Sequence, residues 1–293
     1  MKQLIIFWQF SRPHTIIGSF CSITTLYLLA LQGQPIATHI GLYGLTLLAA
    51  LGCNVFIVGL NQYIDVELDK INKPYLPLAA GTLQKRTALI IIYTALAIAL
   101  IAAALTGWRL SALIDVIITI GVLYSVPPVQ LKKHHVPAAI CISLVRGLLV
   151  NIGMLWHFTQ LMHGPEATLP IATWPLTVFI TAFSIAIAWF KDLPDTTGDA
   201  AFHIRTFPVL YNKAVALRAG AAMVLAAYGY TVVWAWQHSV FLLFAHALLA
   251  ALFVWHLFTV RINEQASIKK FYLRFWVFFF AEYVVFAVWA VIR

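Results

Sequence analysis

Nine long, almost wholly apolar stretches alternate along the chain with short polar connections. They fall at about residues 14–31, 39–61, 87–106, 109–126, 136–158, 171–190, 208–233, 238–260 and 271–292. At about 1.5 Å per helical residue, such lengths span a hydrocarbon core about 30 Å thick, so each is predicted to be a membrane-crossing helix. The lead-in MKQLIIFWQFSRPH places Trp8 and Phe10 at headgroup level ahead of the first span, and Pro13 sits where a helix can begin without its N–H. QGQP at 32–35, Gly107-Trp108 and a loop holding His163, Gly164 and Pro165 make the turns on one side. On the other side, Pro127 and Pro128 end the fourth span.

Composition agrees with this pattern. Of 293 residues 62% are hydrophobic and 10% charged, with mean hydropathy +0.89, far from a soluble domain. The expected class is an all-α polytopic membrane protein, organised as one transmembrane domain over 1–293 with no separate soluble part. A cleaved signal peptide cannot account for apolar segments that continue to the end of the chain. Cys21, Cys53 and Cys141 lie within apolar segments without metal-ligand spacing.

The net charge of +9 would suggest nucleic acid in a soluble chain. Here it concentrates in loops on one face: Lys70, Lys73, Lys85, Arg86, Lys132, Lys133, Lys191, Arg205, Arg261, Lys269 and Lys270. The opposite face has little beyond Arg109 and Arg293. That bias puts the basic loops on the cytoplasmic side or its stromal equivalent, with no role for nucleic acid. The lipid bilayer is the expected surrounding, and no obligate protein partner is implied.

The polar interruptions carry the chemistry. In NQYIDVELDKINKPYLPLAAGTLQKR, residues 61–86, Asn61, Asp65 and Asp69 are spaced by four, so a helix running on from 39–61 would present all three on one face. Such a set can hold a divalent cation, although a lone acidic pair is often only a solvated helix end. A second cluster, Asp192, Asp195 and Asp199 in KDLPDTTGD, weighs against that. Six of the ten acidic residues fall in these two stretches.

Hard oxygen ligands suit Mg²⁺, which usually shares its shell with water and substrate phosphates, so a diphosphate substrate is implied. Lys132, Lys133, Lys191 and Arg205 are candidates for its outer oxygens, and Tyr124 for a hydrogen bond to it. Arg146 lies with Asn151 in RGLLVNIG inside the fifth span. A charge at that depth costs about 2.5 kcal/mol on insertion scales and faces a bundle interior, which favours an anion-handling role over a structural one. A transporter would need related halves with matching broken helices, whereas these clusters have different flanks.

With these strings in view, the chain resembles the UbiA superfamily of intramembrane aromatic prenyltransferases, and within it the homogentisate prenyltransferases. NxxxDxxxD from Asn61, DxxDxxxD from Asp192, the YSVPP exit and the longer strings GLNQYIDVELDKINKPYLPLAAG, RGLLVNIG and FKDLPDTTGD carry the resemblance from Ser11 to the last span. It implies a nine-helix bundle with a central cavity and a lateral opening for the prenyl tail. Mg²⁺ is then held by Asn61, Asp65, Asp69, Asp192, Asp195 and Asp199, which are the catalytic set. It further implies transfer of a phytyl, geranylgeranyl or solanesyl group from its diphosphate to an aromatic small-molecule acceptor. That acceptor would be homogentisate, with decarboxylation, in tocopherol or plastoquinone-type synthesis. The alternative is 4-hydroxybenzoate or another quinone or chlorophyllide-type acceptor. Gln62 stands where the wider superfamily often has Asp, as homogentisate-type members commonly do, and Glu67 is expected to be solvated.

Overall fold

The computed structural model describes residues 1–293, the side chain of Lys2 excepted. In chain order the α-helices are α1 (Lys2–Phe10), α2 (Pro13–Leu31), α3 (Ile40–Ile64), α4 (Val66–Asn72), α5 (Lys85–Thr106), α6 (Trp108–Ser125), α7 (His135–Ser143), α8 (Leu155–His163), α9 (Thr173–Phe190), α10 (Thr196–Ala201), α11 (Phe207–Tyr211), α12 (Lys213–His238), α13 (Val240–Phe258) and α14 (Gln265–Ile292). A π-helical segment, Leu144–Met154, joins α7 to α8 as one continuous span. Among the described residues nine helices are long and apolar enough to cross a membrane, which makes the chain an all-α polytopic membrane protein.

Four spans differ from the sequence expectation, the fifth by running on to His163, five residues past its expected end. The seventh span does not run from 208 to 233: α11 stops at Tyr211, and α12 runs from Lys213 to His238. The reason is Asn212, whose φ of +84° breaks the helix and whose side chain accepts from the Val215 N–H at 3.0 Å to cap the next one. The last span starts at Gln265, six residues before the expected 271, so much of the basic connection 261–270 is helical. The second span runs on to Ile64, three residues past its expected end.

Contacts divide the chain into two compact units, Met1–Thr24 with Ala37–Lys132, and Thr25–Ile36 with Lys133–Arg293. In the first, α3 and α5 approach closely because Gly52 meets a run of alanines. A Cβ at Gly52 would come 2.8 Å from the Ala95 carbonyl oxygen and 3.2 Å from the Ala99 Cβ. Lipid offers helices no hydrophobic drive to associate, so close backbone packing and polar contacts hold them. Asn54 supplies such contacts, donating to Ser19 Oγ at 2.8 Å and accepting from Thr15 Oγ1 at 2.9 Å.

The second unit is packed with aromatic rings. Phe183 stacks on Phe275 with centroids 4.1 Å apart, and Phe179 and Tyr228 meet edge to face at 4.7 Å. A hydrogen-bonded His–Glu pair lies within these spans: His246 of α13 and Glu282 of α14, 3.0 Å apart and both fully buried. The same unit is tied to its N-terminal segment by Thr25, which donates to the Tyr283 carbonyl at 2.9 Å.

Candidate active site

The first unit carries Asn61, Asp65 and Asp69 at the end of α3. Asp65 is the junction between α3 and α4, with φ −94° and ψ 15°, a slight departure from helix. The hydrogen-bond ladder nevertheless continues through it. The Asp65 N–H donates to the Asn61 carbonyl at 3.0 Å, Asp69 to Asp65 at 2.7 Å and Lys73 to Asp69 at 2.8 Å. Each residue is therefore one turn above the last, and the four-residue spacing keeps them on one side.

Lys132 closes on this ladder. Its Nζ donates to both oxygens of Asp65, at 2.6 and 2.5 Å, and its side chain is only 9% exposed. Asn61 donates to Ser125 Oγ at 3.3 Å, and Tyr124 next to that serine is half-buried. Asp69 is buried. Gln62 turns the other way: it is buried and donates to the Phe10 carbonyl at 2.5 Å, tying the end of α1 to α3.

Glu67 is exposed and pairs with Lys70 at 2.8 Å, as its solvated reading requires. The hydrogen bond and charge of Lys70 hold its carboxyl below the ordinary value. Exposed pairs of this kind contribute little, so Glu67→Gln is expected to leave the melting temperature of the protein unchanged, as a thermal scan would show.

The second unit repeats the device after α9. The Asp195 N–H donates to the Asp192 carbonyl at 3.1 Å and the Asp199 N–H to Asp195 at 3.0 Å. All three carboxylates are buried. Lys191 Nζ lies 2.6 Å from Asp192 Oδ1, and Thr206 Oγ1 donates to Asp199 Oδ2 at 3.3 Å. Buried carboxylates are costly unless positive charge or donors compensate them, and each ladder has a lysine doing so. Arg205 is fixed through its backbone, donating to the Lys133 carbonyl at 2.9 Å and accepting from His135 at 3.1 Å, while its side chain is exposed.

Arg146 and Asn151 sit in the π-helical segment of the same unit. Asn151 Nδ2 donates to the carbonyls of Arg146, at 2.9 Å, and Gly147, at 2.8 Å, and its Oδ1 accepts from Tyr283 at 2.9 Å. Its amide is thus engaged in shaping the segment, and such π segments occur often at functional sites. The Arg146 guanidinium lies 5.0 Å from the centroid of Trp276 and 6.0 Å from that of Phe279, within cation–π reach. Ser125, Thr206, Tyr283 and Trp276 were not singled out by spacing. Each is a common residue type in an apolar helix or loop and gains its place only from tertiary contact.

The donor set fits Mg²⁺. It is made of hard carboxylate and amide oxygens, and the Lys132 ammonium already takes the bidentate position on Asp65 that a cation would seek. Among the described residues no three His, Cys, Asp or Glu side chains gather into a ready metal cage. Mg²⁺ seldom has one, being bound by one or two carboxylates with water and phosphate completing the shell.

Residues 19–281 match the model of the UbiA prenyltransferase family. The chain is 38% identical to homogentisate phytyltransferase of Synechocystis sp. over 99% of its own length and 97% of that protein. It is 36% identical to the chloroplastic homogentisate solanesyltransferase of Arabidopsis thaliana, over 95% of this chain and 75% of that one. The solved structure of a UbiA homologue from Archaeoglobus fulgidus, bound to GPP and Mg²⁺, aligns with a TM-score of 0.65 at 18% identity, covering 98% of this chain and all of that one.

Proposed function

The chain belongs to the UbiA prenyltransferase family, and from that premise we propose that it transfers a long prenyl group from its diphosphate to homogentisate, with loss of the homogentisate carboxyl group as carbon dioxide. The observation that carries this reading is the pair of aspartate ladders, the second buried and the first partly so, each compensated by lysine. The names of the relatives support homogentisate as acceptor, and differ among themselves in the prenyl group.

In the proposed reaction Asp65 and Asp69 with Asn61, and Asp192, Asp195 and Asp199, would hold Mg²⁺. Bound there, Mg²⁺ would neutralise the diphosphate oxygens and make them a better leaving group. Lys132 and Lys191 are already seated on carboxylates of the two ladders. Each would exchange a carboxylate for a diphosphate oxygen as substrate arrives, so that charge stays balanced in both states. Arg205, exposed and anchored by its backbone, can reach an outer phosphate oxygen, and Tyr124 can donate to one.

The allylic C–O bond breaks with its electron pair leaving on the diphosphate. The electron-rich ring then attacks the allylic carbon through a ring carbon beside a hydroxyl group, and that carbon gives up its proton to restore aromaticity. The acetate side chain loses carbon dioxide, and its methylene carbon takes up one proton to become methyl, so the proton released and the proton consumed balance. Arg146, held over Trp276 and Phe279, would handle an anionic group of substrate, and Asn151 positions it by shaping the π-helical segment. The basic loops support a cytoplasmic or stromal-side site.

Purified protein in lipid with Mg²⁺ is given phytyl, geranylgeranyl or solanesyl diphosphate, each with homogentisate or 4-hydroxybenzoate, and products are identified by mass. Prenylated, decarboxylated product from homogentisate is expected. Product only from 4-hydroxybenzoate would keep the prenyl transfer and overturn the acceptor.

A further inference from the structure

Arg146 is the only charged residue of the π-helical segment, and contacts within the second unit fix its depth relative to the ladder that begins at Asp192. The Phe190 ring, two residues before Asp192, packs against Phe271 with centroids 5.3 Å apart. Trp276, beside which the guanidinium lies, is five residues further along α14. Those seven helical residues amount to about 10 Å. The start of α14 supplies a second measure. Gln265 donates through Nε2 to the Pro194 carbonyl, between Asp192 and Asp195, and Trp276 follows eleven residues later, about 16 Å along the helix. The guanidinium therefore sits about 10–16 Å beneath the second ladder, within the span. A phosphate held at the ladder through a cation, with ligand bonds of about 2 Å, stays beside the aspartates. Arg146 answers to a different anion.

Its surroundings hold it in place. Trp276, Phe279 and Tyr283 follow one another at three- and four-residue spacing along one stripe of α14, and all are buried. The first two back the guanidinium at 5.0 and 6.0 Å. The third donates at 2.9 Å to Asn151 Oδ1, and the Asn151 amide in turn binds the Arg146 and Gly147 carbonyls. One helix face thus fixes both the guanidinium and the backbone that carries it. On the other side Gly147 lies so close to Thr181 that a Cβ there would overlap it. Arg146 alone of this group is half-buried, so its head is the accessible part of a buried frame.

Resting on the reading of the chain as a homogentisate prenyltransferase, we propose that Arg146 anchors the carboxylate of the aromatic acceptor and that Tyr283 is a positioning residue acting through Asn151. A guanidinium can back its face on aromatic rings while its fork of N–H donors takes a carboxylate bidentately. Charge at membrane depth is expensive, and a carboxylate that neutralises it gains affinity. With the carboxylate held there, the ring of the acceptor lies between Arg146 and the ladder, on the side from which the allylic carbon comes. Once carbon dioxide has left, the product offers Arg146 no counter-charge, and the neutral, apolar molecule is free to pass into lipid.

Equilibrium binding to the full chain in lipid nanodiscs separates this role from that of a purely structural arginine. Homogentisate and its carboxamide, which keeps the ring and both hydroxyls but not the charge, are titrated with Mg²⁺ and a non-reactive prenyl thiodiphosphate present. Wild type is expected to favour the carboxylate by at least about tenfold, as a hydrogen-bonded charge pair does. Arg146→Gln should bind the two alike and still hold the prenyl analogue as wild type does. Tyr283→Phe removes one hydroxyl and keeps the ring, so it should raise the KM for homogentisate about fivefold, with kcat and the KM for prenyl diphosphate little changed. That split is one a loosened fold would not give, and it keeps the test open if Arg146→Gln fails to fold. A carboxylate preference that survives Arg146→Gln, loss of the prenyl analogue on that substitution, or an unchanged homogentisate KM in Tyr283→Phe overturns the assignment and leaves homogentisate as the acceptor. A wild type that binds neither compound overturns the homogentisate reading, and the assignment with it.

Discussion

Asp65→Asn and Asp195→Asn should each lower prenyl turnover by at least about 10²- to 10³-fold, the scale on which removing a single charge-stabilising group acts in other active sites. Each substitution keeps side-chain size and hydrogen-bonding capacity while removing one negative charge. Folding should change little, because Asn can still accept a hydrogen bond where Asp65 meets Lys132 Nζ at 2.6 Å. In the Asp65→Asn variant Lys132, only 9% exposed, would lose its counter-charge, so a modest fall in melting temperature is expected there and a smaller one for Asp195→Asn. The measurement is initial rate under saturating Mg²⁺ beside a thermal scan of the same preparation. Turnover near wild type in both variants would remove these residues from the centre, whatever their burial.

The second large effect lies away from the chemistry. His246→Leu should destabilise the protein by about 1–3 kcal/mol, the cost of leaving a buried polar group without its hydrogen-bond partner. Glu282 is fully buried, has one oxygen hydrogen-bonded with His246 Nε2 at 3.0 Å and has no partner for the other among the described residues. His246 Nδ1 is in turn held by the Leu242 carbonyl at 2.6 Å, so the ring is fixed and the pair is rigid. Removing both partners is a different matter. His246→Leu with Glu282→Leu exchanges two polar groups for apolar ones among Phe286 and its neighbours, and such replacements are often neutral or stabilising. Thermal unfolding in one detergent should therefore rank the double variant well above the single one. A double variant as unstable as the single would show that the space, and not the unpartnered polar group, matters at this position.

How far these features were legible in the chain depends on the range of the interactions that make them. The spans were readable because twenty apolar residues in a row have one use, and the expected nine are present. The four-residue spacing of Asn61, Asp65 and Asp69 was also readable, since hydrogen bonding within one helix is local; it survives the break at Asp65 because the ladder does.

The extent of the seventh span was not readable. Asn212 is a common residue in a helix-compatible context, and nothing short of its backbone conformation reveals it as a break and a cap. The same holds for the π-helical turn around Asn151, whose three hydrogen bonds reach to residues four, five and 132 positions away.

The central claim is that the two ladders serve one diphosphate, and a double-mutant cycle tests it most directly. Binding of a non-reactive prenyl thiodiphosphate analogue in the presence of Mg²⁺ would be measured by calorimetry for wild type, Asp65→Asn, Asp195→Asn and the double variant. If both ladders hold the same ligand, either substitution removes most of the Mg²⁺-dependent affinity and the double variant is scarcely worse than the singles, a strongly non-additive result. Losses that add within about 0.5 kcal/mol, as for independent sites, or Mg²⁺-dependent binding that survives Asp195→Asn unchanged, would contradict it.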